Sequence, residues 1–281
     1  MRLRNLAPLA PLPALLIGIA AMRGLGVSRA AWMINIGATI FGLLIWFFAR
    51  RLPPASRTRT LGVAVASIVT IAAPFAFAGM LGVHRWVSIG GLRLHAAAIV
   101  APLIIGCVAA AAFTSAAAIA ITATIIIALQ PDAAQATSLA AACAVVLAYS
   151  RTTQTRERIV AIALLCVAAA VAFLRRDPLP PVAHVEEIFG IVAAKGLAWA
   201  ALATIALALL PLPFLAAWRE HRAPLALALG VYIALTLLAP AWGTFPVPVM
   251  GYGASPIVGY FVALALTRPR SNERGRAMDH L

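Results

Sequence analysis

The side chains able to do chemistry in this chain gather in three polar breaks between long apolar runs. The first, Gly82-Val83-His84-Arg85-Trp86-Val87-Ser88-Ile89-Gly90, is followed closely by Arg93; the second is Leu129-Gln130-Pro131-Asp132; the third, His184-Val185-Glu186-Glu187-Ile188-Phe189, holds two adjacent carboxylates. Guanidinium forks match phosphate oxygens and hold them in a fixed orientation, so Arg85 and Arg93 read as a phosphate clamp. Trp86 equally fits an interfacial aromatic belt beside which an arginine snorkels. A carboxylate can take a proton from a hydroxyl as a general base. Glu186 and Glu187 are expected to open a helix, whose dipole tolerates negative charge there. Neighbouring helical positions point about 100° apart, so the two cannot face each other as a glycosidase pair does, and one of them is the candidate base. Asp132 reads either as the cap of the helix that follows or as the partner of Lys195, the only lysine in the chain. The His184-x-Glu186 spacing matches half of a zinc deaminase signature, but the Pro-Cys-x-x-Cys half is missing. Cys107, Cys143 and Cys166 lie singly in apolar runs, which supports neither a metal site nor a disulfide framework.

The elements that must position these groups are membrane spans. Hydrophobic residues make up 63% of the 281-residue chain and charged ones 11%, with a mean hydropathy of +0.99, far beyond a soluble globule. A net charge of +14 would suggest nucleic acid in a soluble domain, but here the basic residues sit in short loops between apolar runs, so nucleic acid is excluded as a partner. Segments long enough to cross the hydrocarbon fall near 6–22, 29–49, 60–81, 95–112, 114–130, 133–149, 157–174, 188–210, 223–240 and 249–267. The cut at Phe113 divides what would otherwise be one bent span. Pro8, Pro11 and Pro13 make the first span irregular, a feature that sets it apart from a cleaved signal peptide, and Pro74 is expected to kink the third.

The expected architecture is an all-α polytopic membrane protein: about ten transmembrane helices forming a single integral membrane domain over 1–281, with both termini cytoplasmic. On that orientation Arg2, Arg4, Arg50, Arg51, Arg57, Arg59, Arg151, Arg156, Arg158, Arg219, Arg222, Arg268, Arg270, Arg274 and Arg276 face inward, against Arg23, Arg29, Arg85, Arg93, Arg175 and Arg176 outside. That bias follows the positive-inside rule, and nine or eleven spans would spoil it. The loops at 82–94, 130–133 and 175–187 then open on one outer face, so the three breaks are expected to meet. Lys195 falls about two and a half turns into the eighth span, where a cation needs a partner or a wet cavity.

Set in order, the breaks resemble the SEDS glycosyltransferases, the FtsW, RodA and SpoVE family of bacterial cell-wall polymerases. Gly82, Arg85, Trp86, Val87 and Gly90 are similar to the family's Gly-x-x-Arg-Trp-Ile-x-Leu-Gly, and Leu129 to Ala133 to its Leu-Gln-Pro-Asp-Leu-Gly. Pro181, His184, Glu186, Ile188 and Phe189 resemble its Pro-Glu-x-His-Thr-Asp-Phe-Ile-Phe. A fourth stretch, Pro246-Val247-Pro248-Val249-Met250-Gly251-Tyr252-Gly253-Ala254-Ser255, resembles its Pro-Leu-Pro-Phe-Val-Ser-Tyr-Gly-Gly-Ser. The likeness runs from about 80 to 267. It implies an inverting, multi-pass enzyme of the bacterial cytoplasmic membrane that polymerises lipid II, or another undecaprenyl-diphosphate-linked sugar, on the outer face during cell division or cell-shape maintenance. It implies Glu186 as the catalytic carboxylate, Arg85 and Arg93 on the diphosphate, and Trp86, Asp132, His184, Glu187, Lys195, Tyr252 and Ser255 in support. No organic cofactor is implied; arginines or a divalent cation would stabilise the leaving diphosphate. Membrane lipids and a class B penicillin-binding protein are the implied partners.

The departures from the family are specific. Its aspartate is Glu186 here, its Gln-Pro-Ser-Glu is His95-Ala96-Ala97-Ala98, its following lysine is Ala101, its Glu-Glu pair is Ala194-Lys195, and the outer loop before Glu186 is short. These losses define two competing readings: a non-catalytic SEDS-like partner of a cell-wall transpeptidase, and a carrier of lipid-linked precursors.

Overall fold

The computed structural model describes residues 6–49, 51–52, 56–150, 152–175 and 177–267. Nine of the arginines that carry the orientation argument, Arg2, Arg4, Arg50, Arg151, Arg176, Arg268, Arg270, Arg274 and Arg276, lie outside the described residues.

Runs of Ala, Leu, Ile and Val satisfy their own backbone as helices, which is what lipid demands of a chain that forms no barrel. A 3₁₀ turn (Ala7–Leu9) leads into α1 (Leu12–Gly24), followed by α2 (Arg29–Ala49) and α3 (Arg57–Ala72). A two-stranded hairpin comes next, β1 (Trp86–Ile89) and β2 (Leu92–His95), and then α4 (Ala96–Ala110), α5 (Phe113–Leu129), α6 (Ala133–Ala148) and α7 (Thr155–Leu174). The chain continues through α8 (Ile188–Ala193), α9 (Leu197–Ala208), α10 (Leu212–His221), α11 (Pro224–Leu238) and α12 (Ala254–Leu266).

Among the described residues, six segments are long and apolar enough to cross a membrane: Ala7–Gly24, Arg29–Ala49, Arg57–Ala76, Thr155–Leu174, Leu197–His221 and Pro224–Ala241. Helices α4, α5, α6 and α12 are as apolar but shorter. These four form the centre. α12 packs against α2 and α4, α4 also meets α3, α5 and α6, and α11 lies along α6. A helix enclosed by other helices need not match the lipid thickness, whereas α2 and α7 present Phe41, Phe48, Ile159 and Val167 outward, as a lipid-facing surface does. The molecule is thus a multi-pass helical membrane protein; the number of crossings and the side of the termini rest on the arginine distribution.

Four expectations are corrected. The first polar break is not plain loop, because Gly90 and Gly91, with φ of +56° and +83°, make the two-residue left-handed turn that joins twisted strands. The third span stops at Ala76, where Pro74 turns the helix end into a 3₁₀ turn (Ala73–Ala76). The last helix begins at Ala254, and residues 249–253 belong to the irregular loop before it. The span expected over 188–210 is divided: Gly196 at φ +126° separates α8 from α9, Pro211 separates α9 from α10, and the apolar crossing shifts to Leu197–His221. Lys195 therefore lies in the break before that crossing and is exposed rather than buried within it.

Candidate functional site

The first break and the second are tied by Arg85, whose side chain is 6% exposed. Its Nε donates to the Gln130 carbonyl at 3.3 Å and its Nη2 donates to the Pro131 carbonyl. Gln130 is held in turn by its amide, which donates to the Ile71 carbonyl. Arg85 also meets two carboxylates. Asp132 Oδ2 is 4.0 Å from Nε, and Asp177 Oδ2, from the loop ahead of the third break, is 2.7 Å from Nη2. One guanidinium thus joins the hairpin, the α5–α6 connection and the 177–187 loop.

Asp132 caps α6, accepting from the Gln135 N–H at 3.1 Å, as the capping reading expects. Its other ligand is His95 rather than Lys195: Nε2 of His95 is 2.8 Å from Asp132 Oδ2. The tautomer follows from the other ring nitrogen, because Nδ1 of His95 accepts the Ala98 N–H at 3.1 Å at the start of α4. A ring nitrogen that accepts carries no proton, so in the neutral ring the hydrogen sits on Nε2, the nitrogen 2.8 Å from the carboxylate. Burial by itself would raise the Asp132 carboxyl, but Arg85 and His95 hold it below the usual carboxylate range. The hairpin register delivers His95, which pairs with Trp86. The Trp86 ring stands edge-on to His95 at 6.1 Å and lies 5.9 Å from the Arg85 guanidinium carbon.

The fourth stretch closes the ring of contacts. Ser255 Oγ accepts the His95 N–H at 2.8 Å, which joins the start of α12 to the end of the hairpin. The Val247 N–H donates to the Val185 carbonyl at 3.1 Å and the Tyr252 N–H to the His184 carbonyl at 2.9 Å. The rings of His184 and Tyr252 meet edge to face at 5.7 Å. From the other side Asn35, fully buried in α2, donates to the Gly251 carbonyl and accepts the Gly253 N–H, both at 3.0 Å.

Glu186 lies in the turn ahead of α8, half-buried, and accepts the Val182 N–H at 2.8 Å. Burial, reinforced by the charge of Asp177, raises its carboxyl above the ordinary glutamate value, while backbone N–H groups and Arg85 pull the other way. A carboxylate of raised proton affinity, within the field of a guanidinium, is suited to accept a proton. Burial also lowers the proton affinity of His184.

Of the residues singled out from sequence, Arg85, Trp86, Asp132, His184, Tyr252 and Ser255 are brought into this one network, while Glu186 bonds within its own turn and feels Arg85 only through its charge. Arg93 is not: it sits opposite Ser88 on the exposed hairpin, its Nη1 2.8 Å from Met80 Sδ. Glu187 is exposed and makes no side-chain cap for α8. Lys195 faces Trp199, with 5.7 Å from Nζ to the ring. Sequence reasoning missed His95, Asp177 and Asn35. The Gly90-Gly91 turn would have placed His95 across from Trp86, and Asp177 is the only acid between Arg175 and His184, but nothing in an apolar helix marks Asn35. No set of three or more His, Cys, Asp or Glu among the described residues is placed to hold a metal ion.

This helical arrangement, with its four distant polar stretches, is shared with solved structures. The chain has the fold of the rod shape determining protein RodA of Thermus thermophilus, with a TM-score of 0.64 and 19% identity over 93% of this chain and 94% of that one. A point mutant of the same RodA gives 0.67 and 17% over the same shares. A chain from a structure of a peptidoglycan synthase complex, concerned with the structural coordination of polymerization and crosslinking, gives 0.73 and 16% over 94% and 97%. No protein-family model and no curated protein matches the sequence.

Proposed function

We propose that this chain is a divergent SEDS-type protein of the bacterial cytoplasmic membrane that polymerises lipid II, or a similar undecaprenyl-diphosphate-linked sugar, with Glu186 as general base. The observation that carries this reading is a half-buried, proton-hungry carboxylate within the electrostatic reach of Arg85 in a fold shared with RodA. Glu186 would take the proton of the acceptor sugar hydroxyl; the hydroxyl oxygen would form the new bond to the anomeric carbon from the face opposite the leaving group. The bond from that carbon to the diphosphate would break, and undecaprenyl diphosphate would depart carrying the electron pair. Arg85 is the residue suited to meet the charge that develops on the diphosphate. The exposed apolar faces and the likeness to a synthase complex make a class B penicillin-binding protein the natural partner.

Glu186, one methylene longer than the family's aspartate, lies in a turn ahead of α8 rather than in a helix, a setting in which a backbone shift would bring the carboxylate back. A second reading, a non-catalytic partner that keeps the fold, is favoured by one fact: Arg85 is already engaged by two carbonyls and two carboxylates. Purified protein reconstituted with lipid II, with and without a transpeptidase partner, separates the two. Wild type makes glycan chains, and Glu186→Gln lowers the rate by about 10²- to 10⁴-fold with an unchanged melting profile. Polymer from Glu186→Gln at the wild-type rate, or none from wild type with the partner present, refutes the assignment.

A further inference from the structure

The two carboxylates on Arg85 differ in character. Asp132 is enclosed, its side chain 4% exposed, and is held from three sides by the Gln135 N–H, His95 and Arg85. Asp177 is 19% exposed, and its second oxygen only accepts the Leu179 N–H of its own loop, at 3.1 Å. Among the described residues, the pair with Arg85 is the one polar contact that ties residues 177–181 to the rest of the molecule. The other end of the loop is anchored firmly, by the backbone bonds of His184 and Val185 to Tyr252 and Val247.

Arg85 would keep its place if Asp177 left. Its bonds to the Gln130 and Pro131 carbonyls fix the guanidinium, and Asp132 draws on His95 and a helix N-terminal amide as well as on Arg85. What opens is an N–H of Nη2 on the side of the guanidinium where Asp177 now sits. An anion with more charge and more oxygens than a single carboxylate would be held better there, because guanidinium bonds to phosphate oxygens are charge-assisted and fork-shaped.

From this geometry we propose that Asp177 is a built-in stand-in for a diphosphate: it closes the anion site on Arg85 in the empty protein, and a diphosphate ligand displaces it and releases residues 177–181. This rests on Arg85 being the diphosphate-binding residue, but its test needs no polymer to be made. Asp177 is thereby a positioning residue, acting through Arg85 rather than on the reacting atoms.

The experiment uses the full chain in detergent, with inorganic pyrophosphate as probe and farnesyl diphosphate beside it. By calorimetry Asp177→Asn binds pyrophosphate roughly ten- to a hundredfold more tightly than wild type, the worth of one charge-assisted hydrogen bond no longer contested. Arg85→Gln in that background abolishes the gain. In wild type, saturating pyrophosphate speeds tryptic cleavage after Arg175, whereas in Asp177→Asn that cleavage is fast without ligand. Equal affinity in the two proteins, or no binding by either, overturns the proposal. If Asp177→Asn does not fold, the wild-type cleavage decides alone: protection or no change at saturating pyrophosphate and farnesyl diphosphate refutes it. Loosening by either ligand supports it, and tighter binding of farnesyl diphosphate assigns the site to a lipid-linked diphosphate rather than a free one. Polymer assays report on Glu186 and these measurements on Arg85 and Asp177, so either idea can fail without the other.

Discussion

Replacing Asp132 tests whether the four stretches are held by a charged knot or only by a helix cap. Asp132→Asn keeps a good cap for α6, since asparagine caps about as well as aspartate, but removes the charge that faces Arg85 at 4.0 Å and His95 at 2.8 Å. Removing one partner of a buried ion pair typically costs about 3 to 5 kcal/mol because it strands the other charge. Arg85 still has Asp177 at 2.7 Å, which places the expected loss near the lower end, about 3 kcal/mol. Asp132→Ala removes the cap as well and should cost about 1 kcal/mol more. Arg85→Met combined with Asp132→Asn should recover part of the loss, because the charge then left without a partner is that of Asp177, which is more exposed than Arg85 or Asp132. The assay is unfolding of the purified protein by titration with SDS, followed by helical circular dichroism. An Asn variant within about 1 kcal/mol of wild type, with Ala costing only the cap, would refute the knot. The same carboxyl sets an acid limit. Its folded-state value is depressed, so its contribution is complete above the unfolded value of about 3.9 and is lost as pH falls through the lower folded value. Wild type should lose stability in that window by an amount that Asp132→Asn does not.

Two further outcomes follow from the same geometry. Asn35→Ala removes both hydrogen bonds that hold the loop at Gly251 and Gly253 and leaves one buried and one part-buried backbone group unpaired, which should cost about 2 to 4 kcal/mol in the same titration; a loss below about 1 kcal/mol would mean that α12 and the hairpin hold the loop without it. A base of raised proton affinity works only when ionised, so polymerisation should fall as pH drops. The midpoint should lie above the ordinary glutamate value, read from initial rates across pH, and a midpoint at or below that value would remove Glu186 from the role of base.

Much of the architecture is legible in composition and order. Long runs without charge have to be helices in lipid, so most apolar segments could be read directly, and the cut expected at Phe113 falls at Ala111 and Ala112. The three polar breaks stand out for the same reason, and the capping of α6 by Asp132 is one of the two readings that the sequence offered. Local rules went astray where apolar composition hides a change of backbone. Nothing in the hydrophobicity of residues 188–210 reveals that Gly196 and Pro211 divide them, and the hairpin is lost among residues that read as loop.

What the tertiary structure decided is who meets whom. Arg85 could have faced solvent, a lipid headgroup or either of several acids; its actual partners are 45 to 92 residues away in sequence, which no spacing rule encodes. Asp132 was open between a cap and Lys195, and the hairpin settled it by presenting His95 instead. Helical periodicity and polarity are properties of each segment by itself, so sequence determines the segments and their polar ends. Which buried charges neutralise one another depends on how ten-residue and twenty-residue helices pack side by side, and that is fixed only when the whole bundle closes.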